Sequence, residues 1–401
     1  MRCFLLQLRP LLFSGVVLLA APLHADPGKA RALLAQGIRQ APANPDAALS
    51  SFKESADEDD KLSAAHYNQG VILERRARYA EAEAAYHKAV SSKPDNYAAI
   101  ENLANLALRQ KQIPKAEKVL LDAIRSFPAD LGLRNRLIAV WLAQDKVKEA
   151  EDEAKKILKA DERNVGALVN LATVFFRRGQ LELAESVLTR ARDIDPNEAK
   201  VWINLGFVKL AVDDKTAAAE AFKKATELRG DLPEALNNLG ALYNEARDYE
   251  GAVGVLTQAI ALYPTFGKAY LNLGNAYKGA KRYAEAEQAY KKALELDPDN
   301  PNSLFNLGIL HLDNLLPNID RLGRYDVAKE FLTRFTQARG PSAAEIEQAK
   351  VYMADAEKTK ANEERRIRAE ERRKQRQAAP KPGEPGAPKS DAAAPEPGGN
   401  K

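Results

Sequence analysis

The chain is nearly without cysteine: Cys3 stands alone among 401 residues. A lone thiol can neither close a disulfide within the chain nor build a cysteine metal site, so packing alone must hold the fold. Aromatic residues are scarce, at 7%, and Met and Trp occur twice each. Charge of one sign is lacking too. Lys plus Arg number 60 against 56 for Asp plus Glu, an excess of 4, too small by itself to imply a nucleic-acid binder. The excess is local, because residues 357–376 hold nine basic and five acidic side chains. Beyond the first two dozen residues no apolar run approaches the roughly 20 residues of a membrane-spanning helix. What remains is rich in alanine, 45% hydrophobic and 29% charged, which is the make-up of a soluble helical protein.

Catalytic constellations are missing as well. Outside the leader described below there are three histidines, His66, His87 and His311, and two of them fall where packing residues belong. Pairs such as Glu81/Glu83 and Glu285/Glu287 are two apart on a helix and do not share a face. No phosphate-binding glycine loop, serine elbow or zinc-ligand spacing is present. The expectation is a protein that is not an enzyme, with no cofactor, no metal and no small-molecule substrate.

The N-terminus differs from the rest. "MRCFLLQLRP" carries Arg2 and Arg9, and "LLFSGVVLLAAPL" and "HADPGKA" follow. A basic start, a short apolar centre and a small-residue exit describe a secretory signal peptide over residues 1–25. Leu23, third back from the exit at Ala25, is larger than usual there. The run Leu11–Leu23 is short for a membrane span, and an uncleaved anchor is the alternative. Export implies the periplasm for a bacterial chain.

Internal repetition sets the organisation. "YNQGVILERRARYAEAEAAYHKAVSSKPDN" ends at Asn96 and "YLNLGNAYKGAKRYAEAEQAYKKALELDPDN" ends at Asn300, 204 residues or six periods of 34 later. Blocks begin at 63, 97, 131, 165, 199, 233, 267 and 301, with a weaker one at 29. Position eight is small: Gly70, Ala104, Ala172, Gly206, Gly240, Gly274 and Gly308. Position twenty is alanine from Ala82 through Ala116, Ala150, Ala184, Ala218 and Ala252 to Ala286. Position 24 is large, as at Tyr86, Leu120, Leu188, Phe222, Leu256 and Tyr290, and Pro94, Pro128, Pro196, Pro264 and Pro298 stand at position 32. Two helices that touch closely, then a proline that stops the second, account for this spacing.

These motifs resemble the tetratricopeptide repeat family over residues 29–342, about nine repeats and roughly three quarters of the chain. The resemblance implies an all-α solenoid, a right-handed superhelix of helix-turn-helix repeats with a concave groove lined by the first helices. The block at 131 departs most, with Arg134, Ile138 and Glu162, so a local irregularity is expected there, not a domain boundary. In the last block the alanine appears at Ala328 in place of 320, an insertion of eight residues within "LDNLLPNIDRLGRY". Either the loop is merely longer, or Leu315, Leu316 and Ile319 make it a contact. Residues 343–377 read as one helix, with Ile346, Val351, Tyr352 and Met353 capping the array. Its 357–376 half is charged, projects into solvent, and offers contact with an anionic membrane. Residues 378–401 are Pro/Gly/Ala-rich and expected to be disordered.

In this family first-helix positions two, five, six, nine and twelve tend to face the groove. Position six reads Asn68, Asn102, Arg136, Asn170, Asn204, Asn238, Asn272 and Asn306. An amide offers two donors and one acceptor, which suits a peptide backbone, and other arrays of this family, including that of the O-linked N-acetylglucosamine transferase, use such a ladder. Whether this one meets a ligand or only neighbouring helices stays open. Val169, Phe176, Ile203, Phe207 and Leu210, then Leu271 and Phe305, supply apolar groove positions, and Glu101, Asn105, Asn237, Asn244 and Asn275 polar ones. The family's carboxylate clamp is absent, since Glu101 precedes Asn105 and Leu271 precedes Asn275 where lysine is needed. The function implied is a protein-interaction scaffold holding an extended peptide or a partner protein, in assembly of pilus, motility or secretion machinery. A targeting subunit for an enzyme on another chain and a membrane-surface adaptor are the alternatives.

Overall fold

A computed structural model describes residues 28–317 and 319–378, in which the regular structure is entirely α-helical. The expected leader and the tail beyond 378 lie outside the described residues. The first helices of the hairpins are α1 (Lys29–Gln40), α3 (Ser63–Arg75), α5 (Tyr97–Arg109), α7 (Leu131–Ala143), α9 (Val165–Arg177), α11 (Ala199–Ala211), α13 (Pro233–Glu245), α15 (Gly267–Gly279) and α17 (Pro301–Asp313). The second helices are α2 (Pro45–Glu58), α4 (Tyr79–Ser92), α6 (Ile113–Ser126), α8 (Val147–Ala160), α10 (Leu181–Ile194), α12 (Lys215–Leu228), α14 (Tyr249–Leu262), α16 (Tyr283–Leu296) and α18 (Gly323–Gln337), and α19 (Ala343–Ala378) follows. The chain divides after Glu245 into two compact units, the first built from α1–α13 and the second from α14–α19.

Local chemistry places the helix ends. Asn96, Asp130, Asn164 and Asn300 each accept the backbone N–H three residues on, satisfying a donor that the first turn leaves free. Position fifteen closes the first helix in the left-handed conformation, at Ala77, Lys111, Asp145, Gly179, Asp213, Arg247 and Lys281, with φ between 57° and 72°. The next residue's N–H then reaches back to the helix, as in Arg78 to Leu73 at 2.9 Å and Lys146 to Trp141 at 2.9 Å, capping a free carbonyl.

Packing follows the repeat. Every position-twenty alanine from Ala82 to Ala286 is 0% exposed, so the second helix crosses at close range at each step. Position 24 fills the space over position eight: a Cβ on Gly70 would lie 2.6 Å from the Tyr86 ring. The block at 131 keeps regular helices of 13 and 14 residues, and no irregularity of length appears. Its large residue has changed sides, Ile138 on α7 against Ala154 on α8, both 0% exposed and in one core cluster. Exchanging the pair conserves volume, which cores tolerate best.

The last hairpin carries its insertion between α17 and α18, over residues 314–322. Leu316 is buried at 3% while Leu315 is 55% exposed, so the loop's apolar residues split between core and solvent. On α19, Ala349, Tyr352 and Met353 pack on the core of this hairpin, but Val351, expected to join them, is exposed. The expectation of a charged half free in solvent also needs correction. Lys360 bonds Asp326 at 2.6 and 2.7 Å, and Glu357 and Glu363 pair with Lys329 and Arg321. These bonds hold α19 on α18, and through Arg321 on the loop before it, as far as Glu363. Beyond it Arg365, Arg366, Arg368, Arg372, Arg373 and Lys374 are exposed. Among the described residues no helix is long and apolar enough to cross a membrane.

Candidate binding groove

In the first unit, first-helix residues of α5, α7, α9 and α11, with the loop before α13 and its first turn, wall a cavity of about 480 Å³. Its apolar wall includes Val169, Ile203 and Phe207, and its amides include Asn105, Asn135, Asn170 and Asn204. Phe207 is held edge-on against Phe222, with centroids 5.3 Å apart. Position two contributes Gly132, Gly166, Lys200 and Glu234; the two glycines leave room that a side chain would fill.

The asparagine ladder does not form one exposed set. Asn170 and Asn204 line the cavity. Asn170 Nδ2 donates to the Asn135 carbonyl at 3.0 Å and to Asn135 Oδ1 at 3.1 Å, and Asn135 donates to Asn164 Oδ1 at 2.9 Å. Asn204 Nδ2 donates to Lys200 O at 2.7 Å. Asn68, expected in the groove, is buried at 3% and donates to Ala64 O one turn back. Asn102 donates to the Tyr86 hydroxyl at 3.1 Å, which itself donates to Glu74 at 2.8 Å. Asn238 is half-buried, its Nδ2 enclosed without a partner. In the second unit Asn272 is half-buried and Asn306 donates to Asn275 Oδ1 at 3.0 Å. Three of these amides, Asn102, Asn170 and Asn306, tie one helix to another, while Asn68 and Asn204 bond only their own helix.

Of the apolar candidates, Phe207 lies on the wall, while Phe176 and Leu210 are half-buried outside it. Phe176 packs on the core between α9 and α11. Asn237, expected in the groove, is buried at 7%. Leu271 and Phe305, also expected there, pack in the core of the second unit. Phe305 meets Phe335 at 5.2 Å and Tyr352 at 6.0 Å, under the cap.

Of the cavity's basic residues the sequence reading placed only Arg136 in the groove, at position six. Arg136, Arg177, Lys200 and Arg229 line it. Arg136 is paired with Glu101, and burial pulls its pKa down despite that carboxylate. Arg229 holds Asp231 in a fork at 2.8 and 3.0 Å. The Arg177 side chain is only 7% exposed and reaches Asp145 at 3.5 Å, leaving its Nε buried without a partner. Lys200 is exposed, although the neighbouring wall removes part of its hydration. That desolvation, followed by repulsion from Arg136, pushes its ammonium pKa down. A signal was available: position two is a groove position, and Lys200 follows two glycines there, Gly132 and Gly166.

Two of the three histidines behave as packing residues, and His87 is exposed. His66 is buried and its Nε2 lies 2.8 Å from Asp60 O. His311 is 0% exposed and stacks on Phe331. Among the described residues no cluster of His, Cys, Asp and Glu could hold a metal.

Family profiles described as tetratricopeptide repeat match residues 29–98, 67–130, 101–165 and 205–265, with others at 142–206, 267–300 and 289–330. The Cut9–Hcn1 hetero-tetramer of the APC/C contains a similar fold, with TM-score 0.54 and 18% identity over 82% of this chain and 64% of that one. Less of the chain is covered by MamA, at 28% identity, TM-score 0.37, 40% of this chain and 95% of that one. The Pseudomonas aeruginosa pilF structure gives 26%, 0.40, 52% and 92% respectively. No curated protein matches the chain in sequence. With the repeat matched from 29 to 330 and its hairpins observed, the chain belongs to the tetratricopeptide repeat family, an all-α solenoid fold for protein–protein interaction.

Proposed function

We propose that the protein is a non-enzymatic scaffold that holds an extended segment of a partner polypeptide in the groove of its first unit. The cavity carries this reading: Ile203, Phe207 and Val169 offer apolar contact beside the amides of Asn170 and Asn204. Asn204 spends one N–H on Lys200 O, so a second N–H and Oδ1 remain for a peptide backbone. Apolar area with a few fixed polar groups is the usual make-up of a ligand site. The basic and then apolar opening of the sequence supports an exported, periplasmic setting, and with it a role in assembling cell-envelope complexes such as pilus, motility or secretion machinery.

A photo-crosslinking residue at Ile203, compared with one at exposed Leu183 on α10, tests the groove in cells. A discrete partner adduct from position 203 alone is the expected result. Adducts from both positions, or from neither, would dismiss it. A second reading, adaptor to an anionic membrane surface, draws on the exposed arginines of α19 beyond Glu363.

A further inference from the structure

Every carboxylate on or beside the cavity wall is already engaged. Glu101 pairs with Arg136, Asp231 with Arg229, and Asp145 with Arg177. Glu198 accepts the Lys200 backbone N–H at 3.1 Å, and Glu234 has an interaction of its own. The Lys200 ammonium, by contrast, has no acceptor among the described residues. Arg136 and Arg229 repel this ammonium while Glu198 and Glu101 attract it, and the almost wholly buried Arg177 stands on the same wall. Arg177 offers an independent sign of unmet charge, with one long contact and an enclosed Nε that bonds nothing.

We propose that the groove selects an acidic segment of its partner, seating an Asp or Glu side-chain carboxylate on Lys200. The inference rests on the groove reading above and names the chemistry of the occupant. Any segment that fills the cavity strips water from Lys200. A neutral one would leave a desolvated charge without compensation, which is costly. A carboxylate turns the same desolvation into a charge-assisted hydrogen bond, stronger in a low-dielectric cleft than in water. A side-chain carboxylate suits the site better than a chain end, since the wall continues from Lys200 over α9, α7 and α5 on one side and over the loop and first turn of α13 on the other. Lys200 thereby excludes neutral and basic segments as much as it attracts acidic ones.

The test uses the full chain and fluorescein-labelled ten-residue peptides, blocked at both ends, in which leucine alternates with Glu, Gln or Lys. Fluorescence anisotropy should show the Glu peptide binding about tenfold tighter than the Gln peptide at low salt, with the gap narrowing as salt screens it. Lys200→Gln should abolish the gap, whereas Lys200→Arg should keep most of it. Lys223→Gln, on exposed α12 surface, should leave it unchanged, and melting curves confirm that each variant folds. Equal binding of Glu and Gln peptides, or a gap that survives Lys200→Gln, overturns the proposal. So does a Gln peptide that gains Lys200-dependent affinity merely by having a free C-terminus. Those failures leave the crosslink from position 203 untouched, whereas loss of that crosslink removes the groove itself.

Discussion

Asn306 Nδ2 lies 3.0 Å from Asn275 Oδ1, and the Tyr290 hydroxyl donates to that same oxygen at 2.8 Å. One amide therefore joins α15, α16 and α17. Burial drives the Tyr290 pKa up, which keeps its hydroxyl a donor. Asn306→Ala removes one of the two donors and should cost about 1 kcal/mol, read as faster hydrogen exchange in α15 and α17. Asn204→Ala breaks only a bond within its own helix and should change stability by less than about 0.5 kcal/mol. Equal losses from both variants would reject the distinction between tying and facing amides.

A Cβ added to Gly274 would lie 2.4 Å from Tyr290 Cε1, and that ring is 0% exposed with nowhere to retreat. Alanine gains about 1 kcal/mol of helix propensity over glycine, but overpacking a core costs about 1–3 kcal/mol. Gly274→Ala should therefore lower the denaturation midpoint. In a Tyr290→Leu background the same change should become neutral or stabilising. A Gly274→Ala that stabilises the wild-type chain would mean the ring moves freely.

How far the sequence exposed this structure depended on whether a feature recurs. Ala82 to Ala286 and Gly70 against Tyr86 repeat every 34 residues, so their roles could be read by superposing the chain on itself. The left-handed residue at position fifteen repeats as faithfully, but Ala77, Lys111, Asp145 and Arg247 share no chemistry, and only Gly179 betrays it. Ile138 looked like an irregularity because it was weighed against its column and not against its partner Ala154. The binding wall was least legible. Asn68 and Asn170 are the same residue at the same position, and burial alone separates them. Lys200 and Arg177 carry meaning only through what does or does not sit beside them, which no periodicity records.

His311 is fully buried against Phe331, with Nε2 3.3 Å from Glu287, and Lys291 also holds Glu287, at 2.6 Å. Burial pushes the His311 pKa down, more than Glu287 raises it. The unfolded chain therefore takes up this proton near pH 6.5 and the folded chain only at lower pH. The folded state has its full stability above the unfolded value and loses it as the pH falls below about 6.5. His311→Gln should shrink the drop in melting temperature between pH 7.5 and 5.5, measured by circular dichroism. An unchanged drop would assign it to other groups.

Lys360 bridges from α19 to both oxygens of Asp326 on α18, next to the pairs Glu357–Lys329 and Glu363–Arg321. Upstream the contact is apolar, with Ala349 0% and Ala356 2% exposed. The two halves should part under different conditions. Salt screens exposed ion pairs and leaves buried methyl groups in place, so high salt or Asp326→Asn should speed amide exchange over residues 357–363 but not 346–356. If the arginines beyond Glu363 meet anionic lipid, the loosened helix should also bind phosphatidylserine vesicles more tightly in the Asp326→Asn variant at low salt. Uniform exchange along α19 in both proteins would show that its own i,i+4 pairs, and not α18, keep the charged half helical.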